Sequence, residues 1–142
     1  MSARLDLTRE EQEELARLLD ELAARSGRED SLDAMRGRWS AFVTTVERGY
    51  DDSIYEYTND LSVRDRLEGI AAGAGPTLHA KLHGALADDD RRFAAATQDA
   101  DQPLGEFAGE APSWWRRVPR RRAGELAEDL AALGYLDQGD RI

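Results

Sequence analysis

The chain has no cysteine, a single lysine (Lys81), few aromatic residues and no long apolar run. Each absence closes off a class. Without cysteine there are no disulfides, no thiolate metal sites and no cysteine nucleophile. No apolar stretch approaches the roughly 20 residues that cross a bilayer. The opening MSARLDLTREEQEEL lacks the uninterrupted apolar core of a secretory signal. The expectation is a cytoplasmic protein with no membrane contact. Positive charge is also scarce: the net charge is −10. That argues against nucleic acid, whose phosphates need local positive charge, and favours a basic protein partner.

What is present fits one folded domain. A length of 142 residues, 41% of them hydrophobic and 34% charged, supports a charge-rich globular core rather than a disordered chain. The periodicity is helical throughout, with no alternating run of strand quality. Thr8 and Glu11 form a capping box, and Leu15, Leu18, Leu19 and Leu22 then make a narrow stripe that ends at Gly27. Asp30 or Ser31 starts a second helix with Leu32, Met35, Trp39, Phe42, Val43 and Val46 on one face, closed by Gly49. A fourth helix begins near Pro76 and carries Leu78, Leu82, Ala85, Leu86 and Phe93 to about Thr97. Residues 98–112 read as a surface loop, and a last helix runs from about Arg121 to Leu133 with Leu126, Leu130 and Leu133 inward. Gly134 would be its left-handed end, folding Tyr135 back on Leu130. The fold class is therefore all-α: a compact helical bundle of about four core helices (residues 28–142) plus an N-terminal amphipathic helix (residues 1–27).

The third segment, Tyr50–Glu68, is the chemically densest. It holds three tyrosines, six carboxylates and an asparagine in nineteen residues. Ile54, Tyr57, Leu61, Val63 and Leu67 take core spacing, leaving Asp51, Asp52, Tyr55, Glu56, Asn59 and Asp60 as a candidate partner-binding surface. Thr58, Asn59 and Asp60 all compete for backbone hydrogen bonds, so a helix break is expected there. GIAAGAGP, residues 69–76, is expected to be a loop; it lacks the Lys-Ser/Thr ending of a phosphate loop.

Trp114–Trp115 precede five arginines within Arg116–Arg122. Set against a chain net of −10, those five leave −15 elsewhere, so the segment needs an anionic counterpart. It can dock on the chain's own acidic segment through bidentate guanidinium contacts, or offer Trp114, Trp115, Arg116 and Arg117 to a partner, or stack on nucleic acid. His79 and His83 are four apart on one helical face, and Asp90 falls on the same face, a conceivable two-His, one-carboxylate metal set. The HxxxH spacing is common, and no HExxH motif accompanies it. Asp89 lies on the apolar stripe, where a buried arginine or an indole N–H would have to answer it.

The segments W-x-x-F-V-x-x-x-E-x-G-Y (Trp39–Tyr50), E-Y-x-N-D-L-x-V-R-D (Glu56–Asp65), D-x-R-F (Asp90–Phe93) and W-W-x-R-x-P (Trp114–Pro119) resemble a group of small uncharacterised actinobacterial proteins. The resemblance spans about residues 39–133. It implies that the acidic and Trp-Arg segments belong to one module, and it brings no activity with it.

No nucleophile–base set is visible and no cofactor is implied, which turns the reading away from an enzyme. The sequence points to a non-enzymatic macromolecule-binding protein, in concrete form an acidic inhibitor, immunity- or antitoxin-like, of a basic partner protein. Two alternatives stay open. One is a metal-dependent hydrolytic enzyme using His79, His83 and Asp90 or Asp89; the other is a structural homo-oligomer, a homodimer paired through the N-terminal leucine stripe.

Overall fold

A computed structural model describes residues 5–100 and 114–134. Among these residues five helices form: α1 (Arg9–Ser26), α2 (Leu32–Arg48), α3 (Ile54–Gly73), α4 (Pro76–Ala96) and α5 (Gly124–Ala132). None is long and apolar enough to cross a membrane. Thr8 caps α1 through the expected capping box, and Gly27 ends it in the left-handed region. Ser31 caps α2, and Pro76 opens α4 at a position where its missing N–H costs nothing.

The core is an aromatic stack held between α2, α3 and α4. Trp39 and Phe93 lie 5.0 Å apart between ring centroids, Phe42 and Tyr57 5.5 Å, and Tyr50 and Tyr57 5.1 Å in an edge-on arrangement. Offset and edge-on pairs of this kind add to the area term. Every residue of the α2 stripe read from the sequence is buried. α3 is central: α1, α2, α4 and α5 all pack on it, so its buried residues spread around the helix instead of lying on one stripe.

Four expectations change. The break at Thr58–Asp60 does not occur: Thr58 bonds back within the helix, Asp60 is taken up by the Tyr50 hydroxyl, and the helix runs on through Ser62. Thr58 Oγ1 donates to the Ile54 carbonyl at 3.0 Å, and Ser62 Oγ donates to the Asn59 carbonyl at 2.5 Å. Burial of Tyr57 and Leu61 on either side holds the turn. The glycine-rich stretch is helical as far as Gly73, since Ile70 and Ala71 are core residues there. At Gly73 a Cβ would come within 2.9 Å of Leu18, so the glycine lets α1 approach closely. Third, a small antiparallel sheet exists: β1 (Thr97–Gln98) pairs with β2 (Val118–Pro119), Thr97 opposite Pro119. Two-residue strands leave no alternation for sequence reasoning to detect. Last, α5 starts at Gly124, not Arg121, and Leu133 is exposed. Gly134 does adopt the left-handed conformation, while Tyr135 and most of the 98–112 stretch lie outside the described residues.

The leucine stripe of α1 lies against this core, with Leu18 buried and Leu15, Leu19 and Leu22 partly so. Glu11 of the capping box also accepts from Lys81 Nζ at 2.6 Å, tying α1 to α4. The face that a second copy would need for pairing is largely taken up within one chain.

Candidate protein-docking site

The N-terminal turn of α3 is fixed from three sides. Ser53 caps it through the Glu56 amide, and Asp129 from α5 accepts the Ile54 N–H at 3.0 Å, placing a carboxylate at the positive end of the helix. Tyr50 O–H donates to Asp60 Oδ2 at 2.8 Å. The turn before α5 closes on the same place: the Glu125 N–H donates to the Asp51 carbonyl at 3.2 Å. Gly124 takes φ +53° there, and any Cβ would sit 2.8 Å from that carbonyl oxygen.

On this frame Ile54, Tyr57 and Leu61 turn inward, and Asp51, Asp52, Tyr55, Glu56, Asn59 and Asp60 are all exposed. Tyr55 is 78% exposed, the most accessible large apolar side chain described. Tyr50 and Tyr57 differ from it in kind. Burial, then the Asp60 hydrogen bond, pushes the Tyr50 phenol well above its ordinary value, and burial does the same to Tyr57. Tyr57 donates to the Arg117 carbonyl at 2.5 Å.

The Trp-Arg segment docks internally, on Asp65. Trp115 Nε1 donates to Asp65 Oδ1 at 2.8 Å, and Arg116 pairs with Asp65 Oδ2. Arg117 binds the Thr97 hydroxyl and carbonyl and reaches Asp99 at 2.7 Å. The Arg64 guanidinium lies 4.7 Å from the centre of the Trp115 ring. Trp115 is buried and Arg116 nearly so, which removes both from any accessible docking surface; Trp114, 45% exposed, remains on it. Trp115 and Arg116 thus meet the C-terminal half of the acidic segment, and Arg117 meets Thr97 and Asp99 instead.

The histidines are occupied in the same way. His79 Nδ1 lies 2.7 Å from the Ala71 carbonyl, and His83 Nε2 lies 3.1 Å from Glu68 Oε1. Asp90 is held elsewhere, by Arg64 at 2.9 Å and by Trp39 Nε1 at 3.0 Å. Among the described residues no group of three or more His, Cys, Asp and Glu side chains is placed to hold a metal ion. The buried arginine and the indole expected for Asp89 thus both serve Asp90. Asp89 pairs instead with Arg92 at 2.9 Å, and Arg92 also grips Glu47 at 2.6 Å.

One constellation escaped sequence reasoning altogether. Arg28, Arg38 and Arg66 converge on Asp30 beside a pocket of about 430 Å³ between α2 and α3. The four residues span 39 positions, from 28 to 66, and no spacing rule links them; only the α2–α3 packing brings them together.

No family model, curated protein or solved structure matches the chain. Its surfaces must be read from their own chemistry.

Proposed function

We propose that this is a non-catalytic binding protein that docks a basic protein partner on the N-terminal face of α3. In its concrete form it is an acidic, immunity- or antitoxin-like inhibitor that covers a basic active site. The observation that carries the reading is Tyr55, 78% exposed on a turn held by Ser53 and Asp129, with the exposed Asp51, Asp52, Glu56, Asn59 and Asp60 within five residues of it in the chain. A tyrosine has few torsions to immobilise, and its ring supplies contact area at the middle of an interface. The carboxylates around it steer a cationic surface toward it and set its orientation. The net charge of −10 extends that steering beyond the face itself. Because Arg116 and Arg117 are engaged by Asp65, Thr97 and Asp99, they do not neutralise the face.

A photo-crosslinking residue at position 55 of the full chain, activated in native cells, tests this. The expected product is an adduct with one basic protein that also binds the purified chain at 1:1, with no adduct from the exposed Ala24 of α1. An acidic or neutral partner, or equal yields from both positions, would overturn the reading.

A further inference from the structure

We propose that the groove between α2 and α3 is a binding site for a small phosphomonoester, with its phosphate held by Arg28, Arg38 and Arg66. The inference stands apart from the docking reading, although Asn59 and Asp60 border both places.

Asp30 sits one residue before the cap of α2, and only 9% of its side chain is exposed. Three guanidiniums reach it from three parts of the chain: Arg28 from the α1–α2 connection with Nε at 3.3 Å, Arg38 from α2, and Arg66 from α3. Each engages Asp30 through one nitrogen, so the other N–H donors of all three are left for the groove that these residues line. Besides Asp30 the groove has one further carboxylate, Asp60 at its far end, so three cations against two anions leave it net positive in a protein that is otherwise strongly acidic. A staple holding α3 to the start of α2 would need Arg38 and Arg66 only. Arg28 adds a third charge while 59% of its side chain faces solvent.

The groove has a direction. Arg38 and Arg66 stand at one end, and Thr45 and Asn59, each seven residues away along its helix, stand at the other. At 1.5 Å per residue that is about 10 Å. Phe42 and Val63 form an apolar floor between the ends. A volume of about 430 Å³ falls in the range of small-molecule sites. The three guanidiniums gathered at one end suit a phosphomonoester, which carries about −1.5 to −2 at pH 7. Forked guanidinium donors suit its oxygens better than ammonium groups would. Behind the phosphate there is room for a short body without further negative charge, facing Thr45, Asn59 and the Asp60 carboxylate at the far end.

Calorimetric titration of the full chain with phenyl phosphate, paired with amide chemical-shift mapping, tests the assignment. The expected result is 1:1 saturable binding, shifts centred on Arg38, Phe42, Ser62 and Arg66, and at least tenfold weaker binding in Arg28→Gln. Succinate, a dianion of the other common class, should bind at least tenfold more weakly than phenyl phosphate. Equal affinity for succinate would overturn the phosphate assignment. Absence of saturable binding at millimolar phenyl phosphate, or shifts centred elsewhere, would overturn the site. An unchanged affinity in Arg28→Gln would do the same; if that variant does not fold, the shift map of the native protein decides.

Discussion

Arg64 and Asp90 meet as a bidentate pair inside the bundle, with Nε 3.0 Å from Oδ1 and Nη2 2.9 Å from Oδ2. Arg64 is only 2% exposed, Trp39 donates to the same carboxylate, and Glu68 takes the remaining Nη1 at 3.1 Å. A buried pair of this kind does little for net stability compared with an apolar pair, but losing one partner strands the other charge. Asp90→Asn should therefore cost about 3–5 kcal/mol in urea unfolding. Arg64→Met combined with Asp90→Asn should recover part of that loss. A double variant as unstable as the sum of the singles would show that the two residues are not coupled.

Gly124→Ala and Gly27→Ala separate strain from collision. Both glycines have positive φ, but only at Gly124 would the new methyl meet a backbone atom, the Asp51 carbonyl oxygen at 2.8 Å. The left-handed conformation alone costs about 1–2 kcal/mol for a residue with a Cβ. Gly27→Ala should lose roughly that much, and Gly124→Ala clearly more, in parallel denaturant titrations.

Asp65→Ala removes the acceptor for both Trp115 and Arg116. The expected effect is release of the Trp-Arg segment: faster tryptic cleavage after Arg116 and Arg117 and a red-shifted tryptophan emission, with the far-ultraviolet spectrum nearly unchanged. Cleavage no faster than in the native chain would show that Asp65 does not anchor the segment.

Acid and alkali should both loosen the fold, for opposite reasons. The Lys81 hydrogen bond holds Glu11 below its ordinary 4.5, and the Arg92 hydrogen bond does so for Glu47. For Asp30, burial works upward from 3.8 but the Arg38 hydrogen bond and the three guanidinium charges outweigh it. A carboxylate lowered on folding contributes stability that is present above its unfolded value and lost as pH falls through the folded one. The melting temperature should be flat above about pH 5 and fall below it. Tyr50 and Tyr57, raised by burial, contribute in the other sense, fully below pH 10 and progressively less above it. Alkaline spectrophotometric titration should find fewer than four ionising tyrosines until the chain unfolds.

The helical plan was legible in the sequence because its signals are local. The Thr8 capping box, the Ser31 cap, Pro76 and the Trp39–Phe42–Val46 face all lie within one or two turns of the feature they define. The division of Tyr50–Asp60 into Ile54 and Tyr57 inside, Tyr55 and Glu56 outside, followed from the same periodicity. What periodicity missed was set by packing. Tyr57 and Leu61 in the core outweigh the turn-forming habit of Thr58–Asp60. The two-residue strand Val118–Pro119 exists because the chain beyond Trp115 returns to Thr97. Asp90 rather than Asp89 receives Arg64 because α3 and α4 meet one residue further round than the apolar stripe alone indicates. The arginine cluster on Asp30 needs three separate elements and has no local signature.

The central claim, that the Tyr55 face docks a basic protein, is tested most directly by the affinity of the crosslinked partner for charge and ring variants of the full chain. Tyr55→Ala and Glu56→Arg should each raise Kd at least tenfold, and affinity for the native chain should fall steeply with added salt. Arg120→Ala, at an exposed arginine that is not among the residues of that face, should leave Kd unchanged. A partner that binds Tyr55→Ala and Glu56→Arg as tightly as the native protein would contradict the account.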